Sequence, residues 1–219
     1  MSLIMTLSLL NGIVLTADSR VTCSKDGTVV GRADNEMKIY GLFEHGVGIA
    51  HCGNARMYGD KADDYINIAL MWFVIRNLNE SDTVSSIASK LYSYIKEIGH
   101  KGTHFWVAGF ENDIPKIYMV NEDSLVWKNE EPVHGLWVDG ISNFSDNSSD
   151  IWDEMNLEDA IYFSENYFKD LLSKQNDESI TPEIRELLES CGGFVDMLVL
   201  DKDSIYWHSN KNFESENII

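Results

Sequence analysis

The order of strand-like and helix-like segments is the feature that most constrains the fold of this sequence. Alternating apolar residues predict four strands first, then two helices, two or three strands, two more helices and two closing strands. The strands come in pairs joined by short loops, which is typical of antiparallel sheets. Helix pairs inserted between strand pairs would cover the outer faces of two stacked sheets. The sequence therefore predicts an α+β fold with two antiparallel sheets between helix layers.

The first strand pair is the most clearly marked hairpin. Apolar segments at 3–10 and 13–21 flank Asn11-Gly12, and Asn-Gly between apolar runs is a strong hairpin signal. Two registers remain open. A three-residue loop would place Ser2, Asp18 and Arg20 on one face of the hairpin, whereas a two-residue Asn11-Gly12 turn would move Ser2 to the other face.

Capping residues mark the predicted starts of three helices. Asn156 is followed three residues later by Asp159, and Thr181-Pro182 combines a cap with proline at the first helical position. Asp82 is a further candidate cap. The other predicted elements are strands at 38–42, 47–52, 104–110, 114–120, 124–128, 194–200 and 205–208, and helices at 54–78 and 82–98.

Charge and composition narrow the possible partners. The chain has 219 residues, with 36 acidic against 17 basic side chains, for a formal net charge of −19. Nucleic acids and anionic membrane surfaces are bound by clustered Lys and Arg, so we expect neither as a partner. A hydrophobic content of 44% is that of a folded protein rather than of an acidic disordered tail. The length suits one domain over residues 1–219.

The three cysteines lie far apart, and no Cys/His spacing suggests zinc. We therefore expect a reduced, cytoplasmic protein with no metal and no cofactor. The longest apolar run, 68–75, is too short to span a bilayer, and the amino terminus lacks the basic region of a signal peptide. Residues 1–3, Met-Ser-Leu, also have the composition of an expression leader, which leaves open whether Ser2 is native.

The segment 12–22, GIVLTADSRVT, resembles the second-strand motif of proteasome β-type subunits and their bacterial relatives. That motif has a glycine, a small hydrophobic run, Asp, one small residue, Arg and then Thr. The segments 105–118 and 192–203 are similar to the mid-chain hairpin and the closing strands of the same family. The resemblance covers nearly the whole chain and implies the fold of the amino-terminal nucleophile hydrolases, a four-layer αββα sandwich.

The resemblance also implies a set of site residues. Ser2, exposed by removal of Met1, would be the nucleophile in place of the family's usual threonine. Asp18 and Lys38 would be the catalytic carboxylate and ammonium, and Arg20 would support Asp18 electrostatically. Gly53, which begins a Gly-x-Ala sequence, would supply the oxyanion N–H.

The chemistry of such a site can be stated from its groups alone. A hydroxyl at a chain terminus can use its own α-amine as the general base, because that amine titrates near neutrality. A carboxylate and an ammonium on neighbouring strands would orient the hydroxyl, and a backbone N–H would face the developing oxyanion.

Several alternatives stay open. Counting from Lys38 by the family's spacing reaches Cys52 rather than Gly53 as the oxyanion donor. If residues 1–3 are a leader, Thr6 is the threonine nearest to an alternative start after Met5 and becomes the alternative nucleophile. His51 and Cys52 are adjacent, but neighbouring strand residues point to opposite faces, so they are not expected to form a nucleophile–base pair.

Three positions depart from the family pattern. Ile141 and Cys191 stand where the family has serines, and Leu188 stands where it has an aspartate. These departures favour a protein without catalysis, whereas the retained Asp18, Arg20 and Lys38 favour an enzyme. The first functional hypothesis is a hydrolase that cleaves peptide (amide) bonds, with a non-peptide amidase on the same fold as an alternative. The second is a non-catalytic scaffold or assembly subunit of the same fold. The resemblance implies a homo-oligomer, a ring or stacked dimers, in either case.

Overall fold

The chain is described by a computed structural model over residues 3–26, 28–59, 62–130, 134–140, 144–146, 151–174 and 181–209. Within these ranges it forms fifteen strands, a 3-10 turn at Phe43–His45 and five α-helices. The strands are β1 (Ile4–Leu9), β2 (Gly12–Asp18), β3 (Val21–Lys25), β4 (Thr28–Ala33), β5 (Ile39–Leu42), β6 (Val47–Gly53), β7 (Arg56–Gly59), β8 (Ala62–Tyr65), β9 (Thr103–Glu111), β10 (Ile114–Val120), β11 (Leu125–Trp127), β12 (Gly135–Asp139), β13 (Phe144–Asp146), β14 (Val195–Asp201) and β15 (Ile205–Ser209). The helices are α1 (Ile66–Asn77), α2 (Val84–Ile98), α3 (Ile151–Glu154), α4 (Leu157–Ser173) and α5 (Pro182–Glu189).

Two large sheets carry most of the strands. One has six strands in the order β13-β12-β1-β2-β14-β15, and the other has five in the order β11-β10-β9-β6-β5. Every neighbouring pair in both sheets is antiparallel. The described residues therefore form a mixed helix and strand protein with antiparallel sheets, as the paired hairpins predicted.

Three apolar clusters hold the elements together. Successive strand residues point to opposite faces, so each sheet contributes to two clusters. The first cluster joins the two sheets and includes Leu15 of β2 and Trp106 of β9. The second packs the six-stranded sheet against α4 through residues such as Met5 and Phe168, and the third packs the five-stranded sheet against α1 and α2. Strand β1 is buried along its whole length because it contributes to both faces of its sheet.

The first hairpin has neither of the two predicted registers. Leu9 pairs with Gly12, so the turn consists of Leu10 and Asn11, and Gly12 belongs to β2. The reason lies in tertiary packing: Gly12 also pairs with Asp201, and a Cβ on it would lie 2.5 Å from a methyl of Leu157 at the start of α4. Ile4 consequently pairs with Ala17, and the backbone N–H of Asp18 donates to the carbonyl of Leu3 at 3.2 Å.

The boundaries of other helices and strands also differ from the predicted ones because of contacts with neighbouring elements. The predicted helix at 54–78 begins only at Ile66, because β7 and β8 precede it and pair with each other, with the Arg56 guanidinium 4.9 Å from the centre of the Tyr65 ring. The N-cap of α2 is Thr83 rather than Asp82. The polar segment after β2 contains the paired strands β3 and β4, and neither β12 nor β13 was predicted.

The predicted capping box is confirmed. The Asn156 side chain accepts from the N–H of Asp159, whose carboxylate accepts from the N–H of Asn156. Among the helices of the described ranges, none combines the length and apolar character needed to cross a bilayer.

Candidate active site

An ion pair between Lys38 and Asp18 lies at the centre of the predicted site. The Lys38 Nζ is 2.7 Å from Asp18 Oδ1, and the two side chains are 1% and 0% exposed. Asp18 is the last residue of β2, and Lys38 comes directly before β5. The same Nζ donates to the backbone carbonyl of Arg20 at 2.6 Å. The structure thus brings together two of the predicted site residues from different sheets.

Backbone N–H groups complete the surroundings of Asp18. Its Oδ1 accepts from the N–H of Leu3 at 2.7 Å, and its Oδ2 accepts from the N–H groups of Gly192 at 2.9 Å and Arg20 at 3.2 Å. Burying a carboxylate is costly unless it is paired and hydrogen-bonded, and here it is both. Asp18 therefore ties the start of β1 and the loop before β14 to the Lys38 ammonium.

The Arg20 side chain has a different partner from its backbone. Its guanidinium forms a two-pronged ion pair with Asp34, with N–O distances of 2.6 and 2.8 Å. This contact raises the pKa of Arg20 further and lowers the pKa of Asp34. The remaining Nη1 donates to the carbonyls of Glu189 and Cys191 at the end of α5. Arg20 thus anchors the end of α5, while only its backbone contacts Asp18 and Lys38.

Ser2 lies outside the described residues, as does Ile141. Leu3, the residue bonded to Ser2, is the first described residue. The alternative nucleophile Thr6 lies inside β1, where it is fully buried.

Gly53, the predicted oxyanion donor, ends β6 two residues after His51, whose N–H donates to the Lys38 carbonyl at 2.9 Å. Gly53 has φ +110°, and a Cβ there would collide with the Gly102 carbonyl oxygen. The position therefore has a backbone requirement for glycine.

We expect Gly53→Ala to lower the free energy of unfolding by about 1–3 kcal/mol, because the added methyl meets backbone rather than a flexible side chain. Urea denaturation would measure the loss. Gly31→Ala in β4 is the control, since a Cβ there has no heavy atom within 4 Å. Equal stability of the two variants would contradict the close approach of Gly53 to Gly102.

Two of the three positions that depart from the family pattern, Leu188 and Cys191, lie within the described residues. Leu188 is buried at 2% exposure, and the Glu189 carboxylate pairs with Arg32 at 3.1 Å. Cys191 is fully buried, and burial, together with the nearby Asp18, raises its thiol pKa to about 11. These side chains therefore do not supply the carboxylate and the hydroxyl that the family has at positions 188 and 191.

His51 and Cys52 point to opposite faces of β6, as alternation predicted. The His51 ring stacks on Tyr40 and contacts Phe105, and burial lowers its pKa to about 3. Cys52 belongs to the cluster between the sheets. His51 is therefore neither a base for Cys52 nor charged near neutral pH.

Cys52 instead lies beside His104 and Asp139, two residues that are distant from it in the sequence. His104 Nδ1 is 2.8 Å from Asp139 Oδ2, which lowers the Asp139 pKa and raises that of His104. Burial, with the adjacent Asp139, raises the pKa of the Cys52 thiol. No sequence spacing signals this cluster, because its members come from β6, β9 and β12.

The fold has known structural counterparts. The Anbu (Gly-1) mutant from Hyphomicrobium sp. strain MC1 is similar, with a TM-score of 0.60 over 98% of this chain and 91% of that chain, at 13% identity. At this identity the likeness concerns the fold alone, and it supports a proteasome-like fold at a distant level. No protein-family model and no curated protein sequence matches the chain.

Proposed function

We propose that this chain is a proteasome-like amino-terminal hydrolase that cleaves peptide (amide) bonds with Ser2 as the nucleophile. One observation carries the proposal: the Leu3 N–H lies 2.7 Å from Asp18 Oδ1, the oxygen that also holds the Lys38 ammonium at 2.7 Å. Residue 2 is covalently bonded to that nitrogen. A hydroxyl there would be one residue away from a buried carboxylate–ammonium pair.

The reaction follows from these groups. Once Met1 is removed, the Ser2 α-amine accepts the hydroxyl proton as the oxygen attacks the scissile carbonyl. The proton then passes to the leaving amine as the C–N bond breaks, which leaves an acyl ester on Ser2. Water, deprotonated by the same amine, hydrolyses that ester and restores the hydroxyl.

Lys38 and Asp18 have separate roles in this scheme. An ammonium has three N–H donors, and two of those on Lys38 go to Asp18 and to the Arg20 carbonyl. The third is proposed to face the Ser2 oxygen and to stabilise its ionised form. Asp18 fixes the ammonium, and Gly53, with Cys52 as the alternative, is the proposed donor to the oxyanion.

The proposal also includes the arrangement of the layers and the oligomeric state. The two sheets and their helices are proposed to form a four-layer αββα sandwich, with residues 1–219 as one cytoplasmic domain. A homo-oligomer is supported by apolar side chains on the surface of α1, where Met71 and Ile75 are 48% and 63% exposed. Patches of this kind mark subunit contacts more often than isolated apolar residues do.

A non-catalytic scaffold is the second candidate function. The buried Leu188 and the outward pairing of Glu189 with Arg32 favour it, because the family's supporting aspartate has no equivalent there. In that case the Asp18–Lys38 pair would serve only to join β1, β2 and the loop before β14. A non-peptide amidase would share the site and differ in its substrate.

Mass spectrometry tests the nucleophile directly. We expect the protein to lack Met1 and, after incubation with a β-lactone, to carry an acyl group that peptide mapping places on Ser2. The urea-unfolded protein is the control, because a folded site is needed to activate the hydroxyl. Retained Met1, or an adduct on another residue such as Thr6, would overturn the Ser2 mechanism.

A further inference from the structure

Three side chains with metal-binding atoms converge between the two large sheets. Cys52 and His104 face each other directly in the β6–β9 ladder, and Asp139 is the last residue of β12 in the opposite sheet. The Cys52 Sγ, a ring nitrogen of His104 and a carboxylate oxygen of Asp139 all lie within 4.8 Å of one another. In the described part of the chain, no other group of His, Cys, Asp and Glu meets this spacing.

We infer that Cys52, His104 and Asp139 form a binding site for a divalent metal ion of the zinc class. Thiolate and imidazole ligands favour zinc and similar ions over magnesium and calcium, which prefer oxygen. Three protein ligands with a fourth position left for water or another ligand are typical of zinc sites that are not purely structural.

The charge balance of the cluster suits its burial. Cys52 and Asp139 are each 4% exposed, so an isolated charge there would be costly. A divalent cation bound by one thiolate, one carboxylate and one neutral imidazole gives zero net charge. On binding, the Cys52 thiol releases its proton to solvent, and His104 exchanges its Nδ1 hydrogen bond to Asp139 for the metal, with the proton of the neutral imidazole then on Nε2.

Outer contacts already orient the ligands. Trp106 Nε1 donates to Asp139 Oδ2 at 3.2 Å, and the Gly140 N–H donates to Oδ1 at 2.8 Å. Such partners fix the orientation of metal ligands in known sites. The His104 side chain is 37% exposed and gives the ion a route from solvent. The bound ion would join the five-stranded sheet to the six-stranded sheet.

The inference does not depend on the hydrolase proposal. Asp139 pairs with Ile4, so the cluster lies at the same end of β1 as the Asp18–Lys38 pair. Its ligands are the side chains of Cys52, His104 and Asp139, whereas the hydrolase proposal uses Ser2, Asp18 and Lys38 and, as an alternative oxyanion donor, only the backbone N–H of Cys52. A metal measurement therefore leaves the test of Ser2 unaffected.

Cobalt titration of the full chain, after removal of metals by a chelator, tests the site. We expect Co²⁺ to give cobalt–thiolate charge-transfer absorption that saturates at one ion per chain, and Zn²⁺ to displace it. Cys52→Ser should abolish the thiolate absorption, and Cys23→Ser, at an exposed free cysteine, should leave it unchanged. No thiolate absorption, or its persistence in Cys52→Ser, would overturn the inference.

A second variant tests the site without replacing the buried Cys52, whose substitution could prevent folding. His104→Gln should weaken Co²⁺ binding by at least roughly 10- to 100-fold, the loss caused even by removing an outer partner. His208→Gln is the matched control, because the His208 side chain is also 37% exposed and also contacts a carboxylate, that of Glu165. Equal affinities of these two variants would exclude His104 as a ligand.

Discussion

Lys38→Met is expected to lower the free energy of unfolding by about 3–5 kcal/mol, because it leaves the Asp18 carboxylate buried without its ammonium partner. Lys38 and Asp18 are 1% and 0% exposed, so water cannot replace the lost charge without local opening. Methionine has a similar length and no charge, so the loss would come mainly from electrostatics rather than from a cavity. Urea denaturation monitored by circular dichroism would measure it, with the slope unchanged if the unfolding remains two-state.

Lys169→Met is the matched control for this measurement. The Lys169 side chain is 70% exposed and pairs with Glu165 at 3.4 Å along α4. Exposed pairs of this spacing contribute about 0.2–0.5 kcal/mol, so this variant should unfold close to the wild-type midpoint. If Lys38→Met lost no more than Lys169→Met, the buried ion pair would not hold the site together.

Ser2→Ala is expected to reduce amide hydrolysis by roughly 10⁴- to 10⁶-fold, because no other hydroxyl in the proposed mechanism can form the acyl ester. The assay would follow release of a fluorescent amine from a panel of peptidyl amides. Ser2→Thr is the control, since it keeps both a hydroxyl and the terminal amine. Hydrolysis that survives in Ser2→Ala would assign the activity to another residue.

The two variants separate the two candidate functions. A scaffold would lose stability in Lys38→Met, because the ion pair joins the first two strands to the loop before β14 in either case. It would show no hydrolysis in the wild type, and Ser2→Ala would then change nothing. A hydrolase would lose stability in Lys38→Met and would lose turnover in Ser2→Ala.

Local signals predicted the existence of elements better than their boundaries. The Asn156–Asp159 capping box was predicted and is present, because a cap depends on residues three apart. The Asn11-Gly12 signal correctly placed a hairpin, but not its register. That register depends on Gly12 packing against Leu157 and pairing with Asp201, contacts that distant parts of the chain supply.

The sequence by itself predicted antiparallel strand pairs, because short loops join its apolar segments, and its resemblance to proteasome β-type subunits selected Asp18 and Lys38 as site residues. Only the tertiary structure decided that Leu3 and Gly192 donate to that carboxylate, and that Arg20 pairs with Asp34. Local periodicity sets which face a side chain occupies, and it does not set which strand lies opposite. For that reason the cluster of Cys52, His104 and Asp139 arises only when two sheets pack face to face.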